Sequence, residues 1–189
     1  MAWHAGRVPS RLRFVLSQLG PKAGGKDALS SLVDTATLPG GDWSVLDERT
    51  WRTGRQKPAE PWAERAAANG SITAWRSFRS ERRSLWLQLV PTASPDDARA
   101  ALAVVPAAFL ANLHSQVRLD SESDVEPPDV PGADAVWAHE QHTSGHPDAG
   151  TTLLLCWTAG TRLFALGAGG QPEWTWPEVA AVAGAQNVR

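Results

Sequence analysis

The stretch "AHEQHTSGH", residues 138 to 146, gathers His139, Glu140, His142 and His146 within nine positions. Imidazoles beside a carboxylate are the ingredients of metal-assisted hydrolysis, with the histidines as ligands and the glutamate as general base. A zinc site needs three or four ligands converging at about 2 Å, and a helix would bring the three histidines to one face. Gly145 and Pro147 break such a helix, however, and the preceding "ADAVWA" has strand character. On a strand, His139 and His142 point to opposite faces. The metalloprotease spacing H-E-x-x-H is also missed by one residue. The segment is expected to be a strand end running into a loop, and only a loop folding back from His146 would make it a site.

A second group lies in "TAWRSFRSERRSLW". Trp75, Arg76, Arg79, Arg82, Arg83 and Trp86 interleave cations with aromatic rings, against one acid, Glu81. That mixture suits an interaction surface, for a protein partner or for single-stranded nucleic acid held by phosphate contacts and base stacking. Elsewhere, Gly20, Gly25 and Lys26 in "GPKAGGKD" fit the frame of a phosphate-binding loop. Asp27 stands where that loop needs Ser or Thr for magnesium, and its charge opposes phosphate. No G-x-S-x-G elbow is present, and the single cysteine, Cys156, sits in the apolar run "TTLLLCWT", as a structural thiol does. Around Asp120 the acids lack the glycine and closing glutamate of a calcium loop, since Pro131 takes the latter's place. No cofactor is expected.

Elements must position these residues. "SRLRFVLSQL" (10–19) has helical spacing ended by Gly20-Pro21, and "KDALSSLVDTA" reads as a second short helix. "LPGGDW" is a turn and "WSVLDERTW" a strand. Residues 52 to 70 read as a surface loop with one helical turn. "SITAWRSFR" and "SLWLQLV" form a hairpin with a charged tip, Leu85, Leu87 and Leu89 sharing one face of the second strand. The strongest helix is "SPDDARAALAVVPAAFLANLH", with Ser94 as N-cap and Pro95 at its first position; Pro106 should kink or split it. Residues 120 to 134, with Asp120, Glu122, Asp124 and Glu126 followed by Pro127, Pro128 and Pro131, read as an exposed acidic loop. Three strands then follow on short turns, "ADAVWAHEQH", "TTLLLCWT" and "TRLFALG", and a last helix begins near Pro177.

Consecutive strands on tight turns predict α+β architecture: a twisted antiparallel sheet of about five to seven strands, one face covered by helices 94–114 and 177–187. The 189 residues fit a single domain with an N-terminal helical extension over about 1–37. Hydrophobic residues make up 42% and the formal net charge is −2, so no global field favours nucleic acid or an acidic membrane. Ten tryptophans stand beside four phenylalanines and no tyrosine, enough indole for thick core layers or an aromatic binding surface. With no 18-residue apolar run, one cysteine and no signal sequence read at the start, the expected compartment is the cytoplasm.

"LPGGDW", the capped central helix and the tail "VWAHEQ…LLLCWTAGTRLFALG…EWTWPEVAAVAGAQ" together resemble small actinobacterial α+β domains similar to the PsbP-like group. The resemblance covers the chain after about residue 38. It implies helices flanking a twisted antiparallel sheet, and adaptors for ligands or proteins more often than enzymes. Such relatives are often secreted or lipid-anchored, whereas no lipobox cysteine is read here, and no functional residue is carried over. The expected function is therefore a non-catalytic adaptor acting through the Trp/Arg surface, with another protein as partner. Metal-dependent hydrolysis at the histidines and single-stranded nucleic-acid binding are the alternatives.

Overall fold

A computed structural model describes residues 25–54, 60–114, 119–144 and 150–189, the side chains of Asn112 and Leu113 excepted. Helix α1 (Gly25–Ser30) and a short 3-10 turn lead into strand β1 (Ser44–Arg52). Helix α2 (Pro61–Ala68) precedes the hairpin β2 (Ile72–Ser80) and β3 (Arg83–Pro91). Helix α3 (Pro95–His114) is followed by β4 (Ser121–Val125), β5 (Ala135–Thr143), β6 (Gly150–Ala159) and β7 (Arg162–Gly170), and α4 (Trp176–Asn187) completes the order. The strands make one seven-stranded antiparallel sheet in the order β1-β2-β3-β7-β6-β5-β4. The expected α+β class holds, at the upper end of the expected strand count.

The central strands explain where the helices go. From Leu153 to Ala159 and from Leu163 to Ala168 every residue is buried, so β6 and β7 are apolar in both directions and need cover on both sides. Helices α3 and α4 therefore lie on opposite faces, which corrects the expectation that both cover one. One face holds Phe78, Leu85, Leu87, Leu89, Leu155, Trp157 and Phe164, roofed by α1 and by Val179, Val182 and Ala183 of α4. The other is roofed by α3, which packs Ala101 on Val90 and Leu163, and by Trp62 of α2. The burial of Trp157 and its neighbours is worth about 2–3 kcal/mol per large side chain.

Local chemistry sets the helix ends. Ser94 Oγ accepts the Asp97 backbone N–H at 3.1 Å, the expected cap of α3. Thr175 and Glu178 form a reciprocal capping box on α4. Helix α3 runs through Pro106 without splitting, because its two halves are clamped separately, by Ala101 on Leu163 and by Phe109 stacked on Trp86. Other departures from expectation have similar causes. Residues 61–68 form two turns of helix, since Ala63 and Ala66 bury one side of α2. The acidic segment after 120 is in part strand β4, paired with β5 from Ser121 to Val125. Helix α1 stops at Ser30, short of the segment expected.

Residues 31–33 belong to the core. Leu32 and Val33 are fully buried. The Val33 N–H donates to Gln186 Oε1 at 2.9 Å, and Gln186 Nε2 donates to Ser31 O at 2.6 Å, so the last helix holds the segment at its start. The helix expected over 10–19 lies outside the described residues.

The indole of Trp86 lies flat across Gly167 of β7, and a Cβ there would come within 2.7 Å of the ring's Cζ2 and closer to Nε1 and Cε2. A rigid ring cannot yield as a flexible chain end can. Gly167→Ala is therefore expected to destabilise the domain by about 1–3 kcal/mol in denaturant unfolding, while Gly160→Ala, with nothing within 4 Å, shows only the cost of its positive φ.

Candidate functional site

Strand parity sorts the hairpin residues. In β2–β3, Trp75 pairs with Gln88 and Ser77 with Trp86, while Arg76 pairs with Leu87 and Ser80 with Arg83. Side chains of directly paired residues share a face. Trp75, Arg79 and Trp86 thus lie on the α3 face, and Arg76 and Arg83 on the α4 face, so the six residues do not form one surface. Arg82 sits at the exposed tip beside Glu81.

The two arginines on the α4 face are structural. Arg76 donates through Nη1 to Val33 O at 2.7 Å and through Nη2 to Leu29 O at 3.2 Å, and its Nε meets Glu48 Oε1 at 2.6 Å. It supplies Val33 O with its donor and adds a second one to Leu29 O, which also accepts the Leu32 backbone N–H. Arg83 stacks over Trp174, its Cζ 3.9 Å from the ring centroid, and its Nη2 reaches both oxygens of Glu178 at 3.0 Å. Burial pushes Glu178 up, but the Thr175 backbone N–H and Arg83 outweigh it and hold the carboxyl below its ordinary value.

On the α3 face a different set assembles. Trp75, Gln88 and Trp86 are partly exposed between α2 and α3, with Arg79 exposed beside them. Strand β1 adds Arg49, directly opposite Trp75, with its guanidinium 5.7 Å over the indole centroid and paired with Asp47. The hydroxyl of Ser77, buried among these side chains, has no hydrogen-bond partner. Sequence reasoning missed Arg49 and Asp47 because nothing local ties β1 to β2. Helix α2 borders the set and is fixed to α3 by Arg65 and Asp97; the Arg65 hydrogen bond holds Asp97 below its ordinary value. The patch is a ledge of two indoles with cations at its outer edge.

The histidines part as the strand period predicts. His139 and Gln141 lie on the α3 face, facing Asp124 and Glu122 of β4. Glu140 and His142 lie on the other face, where Glu140 accepts the Trp176 indole N–H at 2.7 Å and His142 meets the Thr151 hydroxyl at 3.2 Å. His146 lies outside the described residues, as does the start of the glycine-rich segment holding Gly20. Among the described residues no three histidine, cysteine, aspartate or glutamate side chains are disposed to hold a metal ion. Gly25 and Lys26 open α1, a helix of only six residues. Cys156 is buried, and burial raises its thiol far above the ordinary value, which keeps it protonated and unreactive.

No family model matches the chain, and no curated protein matches it. Among solved structures, the chain is similar to the extracellular domain of PknH from Mycobacterium tuberculosis, with a TM-score of 0.52 and 11% sequence identity. The likeness covers 90% of this chain and 99% of that one. It extends to the fold. No helix among the described residues is long and apolar enough to cross a membrane.

The division of arginines is directly measurable. Arg76→Ala leaves Val33 O without its donor and Glu48 without its partner, and is expected to cost about 1–3 kcal/mol in chemical denaturation. Arg79→Ala and Arg82→Ala, at exposed positions, are expected to leave the unfolding midpoint where it is.

Proposed function

We propose that this domain is a non-catalytic interaction module that receives a partner protein on the ledge formed by Trp75, Trp86, Arg49, Arg79 and Arg82. The observation that carries this reading is the parity split. Arg76 and Arg83 are consumed inside the fold, whereas Trp75, Trp86 and Arg79 remain on a rigid sheet face with their surfaces partly in water. Large rings presented on central strands lose little conformational freedom when covered, which is why indole and guanidinium dominate binding energy at interfaces. The exposed cations at the hairpin tip favour an acidic segment in the partner.

The likeness to the extracellular domain of PknH extends to the fold and is silent on partner and chemistry. The cytoplasm remains the proposed compartment. A fold whose one cysteine is buried does not depend on the redox state around it. Expression of a tagged full chain followed by fractionation decides the compartment, with recovery outside the cytoplasm overturning it.

Binding can be read with a random glutamate–tyrosine copolymer as the acidic, aromatic probe and tryptophan fluorescence as the signal. The expected result is saturable quenching that Trp75→Ser weakens and that Arg79→Glu with Arg82→Glu removes. Quenching unchanged in both variants, or none at low salt, overturns the assignment. An oligothymidylate titrated in the same way tests the nucleic-acid reading, which requires binding that weakens steeply as salt rises.

A further inference from the structure

The strand at the opposite margin of the sheet is fastened by ionisable groups. Only Val125 of β4 is even partly buried, so apolar contact does little to hold this strand. Across from it stands His139, buried with a side chain only 5% exposed. Its Nδ1 lies 2.7 Å from Asp124 Oδ1 and its Nε2 lies 3.2 Å from Glu122 Oε2. Both ring nitrogens therefore face carboxylate oxygens of β4. Two acceptors need two N–H donors, and only the protonated imidazole supplies both. Trp137 stacks on the ring at 5.4 Å, nearly parallel, presenting a π face that favours a cation. Glu122 Oε2 also meets His114 Nε2 at 2.7 Å and accepts from Gln141 Nε2 at 3.2 Å, so the last residue of α3 is drawn into the same network.

We propose that β4 is a latch on the sheet edge, closed while the His139 ring donates from Nδ1 to Asp124 and from Nε2 to Glu122, and released when either of these bonds is lost. Release uncovers the backbone donors and acceptors of β5, which β4 occupies along five residue pairs. A bare strand edge of this kind accepts another strand. The inference does not rest on the ledge described above, which lies across the sheet from it.

Among the described residues, the titratable groups that face the ring are Glu122 and Asp124 from β4, with His114 of α3 joined through Glu122. Strand β6 places apolar Leu154 opposite His139, and β5 itself contributes Trp137 and Gln141. On the acid side the sign follows from Glu122, whose carboxyl is held below its ordinary value of 4.5 first by the His114 hydrogen bond and then by His139 and Gln141, against burial. Its contribution is fully present above the ordinary value and is lost as pH falls through the lowered one. On the alkaline side, loss of the ring proton turns one nitrogen's lone pair towards a carboxylate, and the attraction there becomes repulsion.

The test follows the His139 ring resonances by NMR over pH 5 to 9, together with amide hydrogen-exchange protection factors in β4 and β5. The expected result is one shared midpoint, with protection in β4 falling about tenfold or more as the ring deprotonates. His139→Gln should abolish that dependence, and His142→Gln, on the opposite face, should retain it. Should His139→Gln fail to fold, Asp124→Asn keeps the ring but removes one of its two carboxylates, and is expected to lower β4 protection and weaken its dependence on pH. Ring titration without a change in β4 protection overturns the latch. So does stoichiometric zinc uptake lost in His139→Gln, because the ring nitrogens would then serve a metal.

Discussion

Strands β6 and β7 carry apolar side chains in both directions, and no single layer of helices can keep such a pair out of water. From this requirement the rest of the architecture follows. Helix α3 must lie on one face and α4 with α1 on the other, and every strand beyond the central pair inherits two different environments. A residue's fate then depends on its parity along the strand. Neighbours in sequence, such as Trp75 and Arg76 or Glu140 and Gln141, end on opposite sides of the molecule with unrelated tasks. The polar groups on the α4 face are bound into the packing, as with Arg76 under α1 and Arg83 over Trp174. On the α3 face the ledge residues lie where the roof is incomplete, while His139 and Gln141 are buried against β4.

The same sorting divides the tryptophans. Trp43, Trp157 and Trp174 lie in the main core, and the Trp157 indole N–H reaches Asn187 at 2.9 Å. Trp51, Trp75, Trp86 and Trp137 remain partly exposed on the α3 face. Abundant indole therefore does both things that composition allowed, packing one face and leaving aromatic surface on the other. Gly167 shows how closely these rings are fitted, since Trp86 reaches Phe109 only by crossing a residue without a side chain.

Much of this was legible in the residues, where the signal is local. Alternation in "SLWLQLV", continuous apolar runs in "TTLLLCWT" and "TRLFALG", and the Ser94-Pro95 cap all specify elements that formed as read. The period of two also separated His139 from His142 correctly. Applied to "WRSFRSERR", the same period would have separated Arg76 from Trp75; there, closeness in sequence was read as closeness in space. Strand β4 was hidden because "SESDV" has a loop's composition, while its pairing sets Glu122 and Asp124 opposite buried Gln141 and His139, which lie elsewhere in the chain. The alternation of Glu122 and Asp124 was the one available sign. Nothing local could have announced Gln186 holding Ser31 and Val33, because the residues it joins stand 155 and 153 positions away in the sequence.

Strand order carries a consequence for synthesis. Strand β3 lies beside β7, so Arg83–Pro91 waits for Arg162–Gly170 before its outer edge is paired. A chain emerging from the ribosome makes the β1–β3 meander long before its partner exists. During that interval Leu85, Leu87 and Leu89 stand on an unfinished border with neither β7 beside them nor α4 above. Premature termination within β6 would leave β1–β3 and β4–β5 without the strand that joins them, and the apolar margin of β3 would stay open.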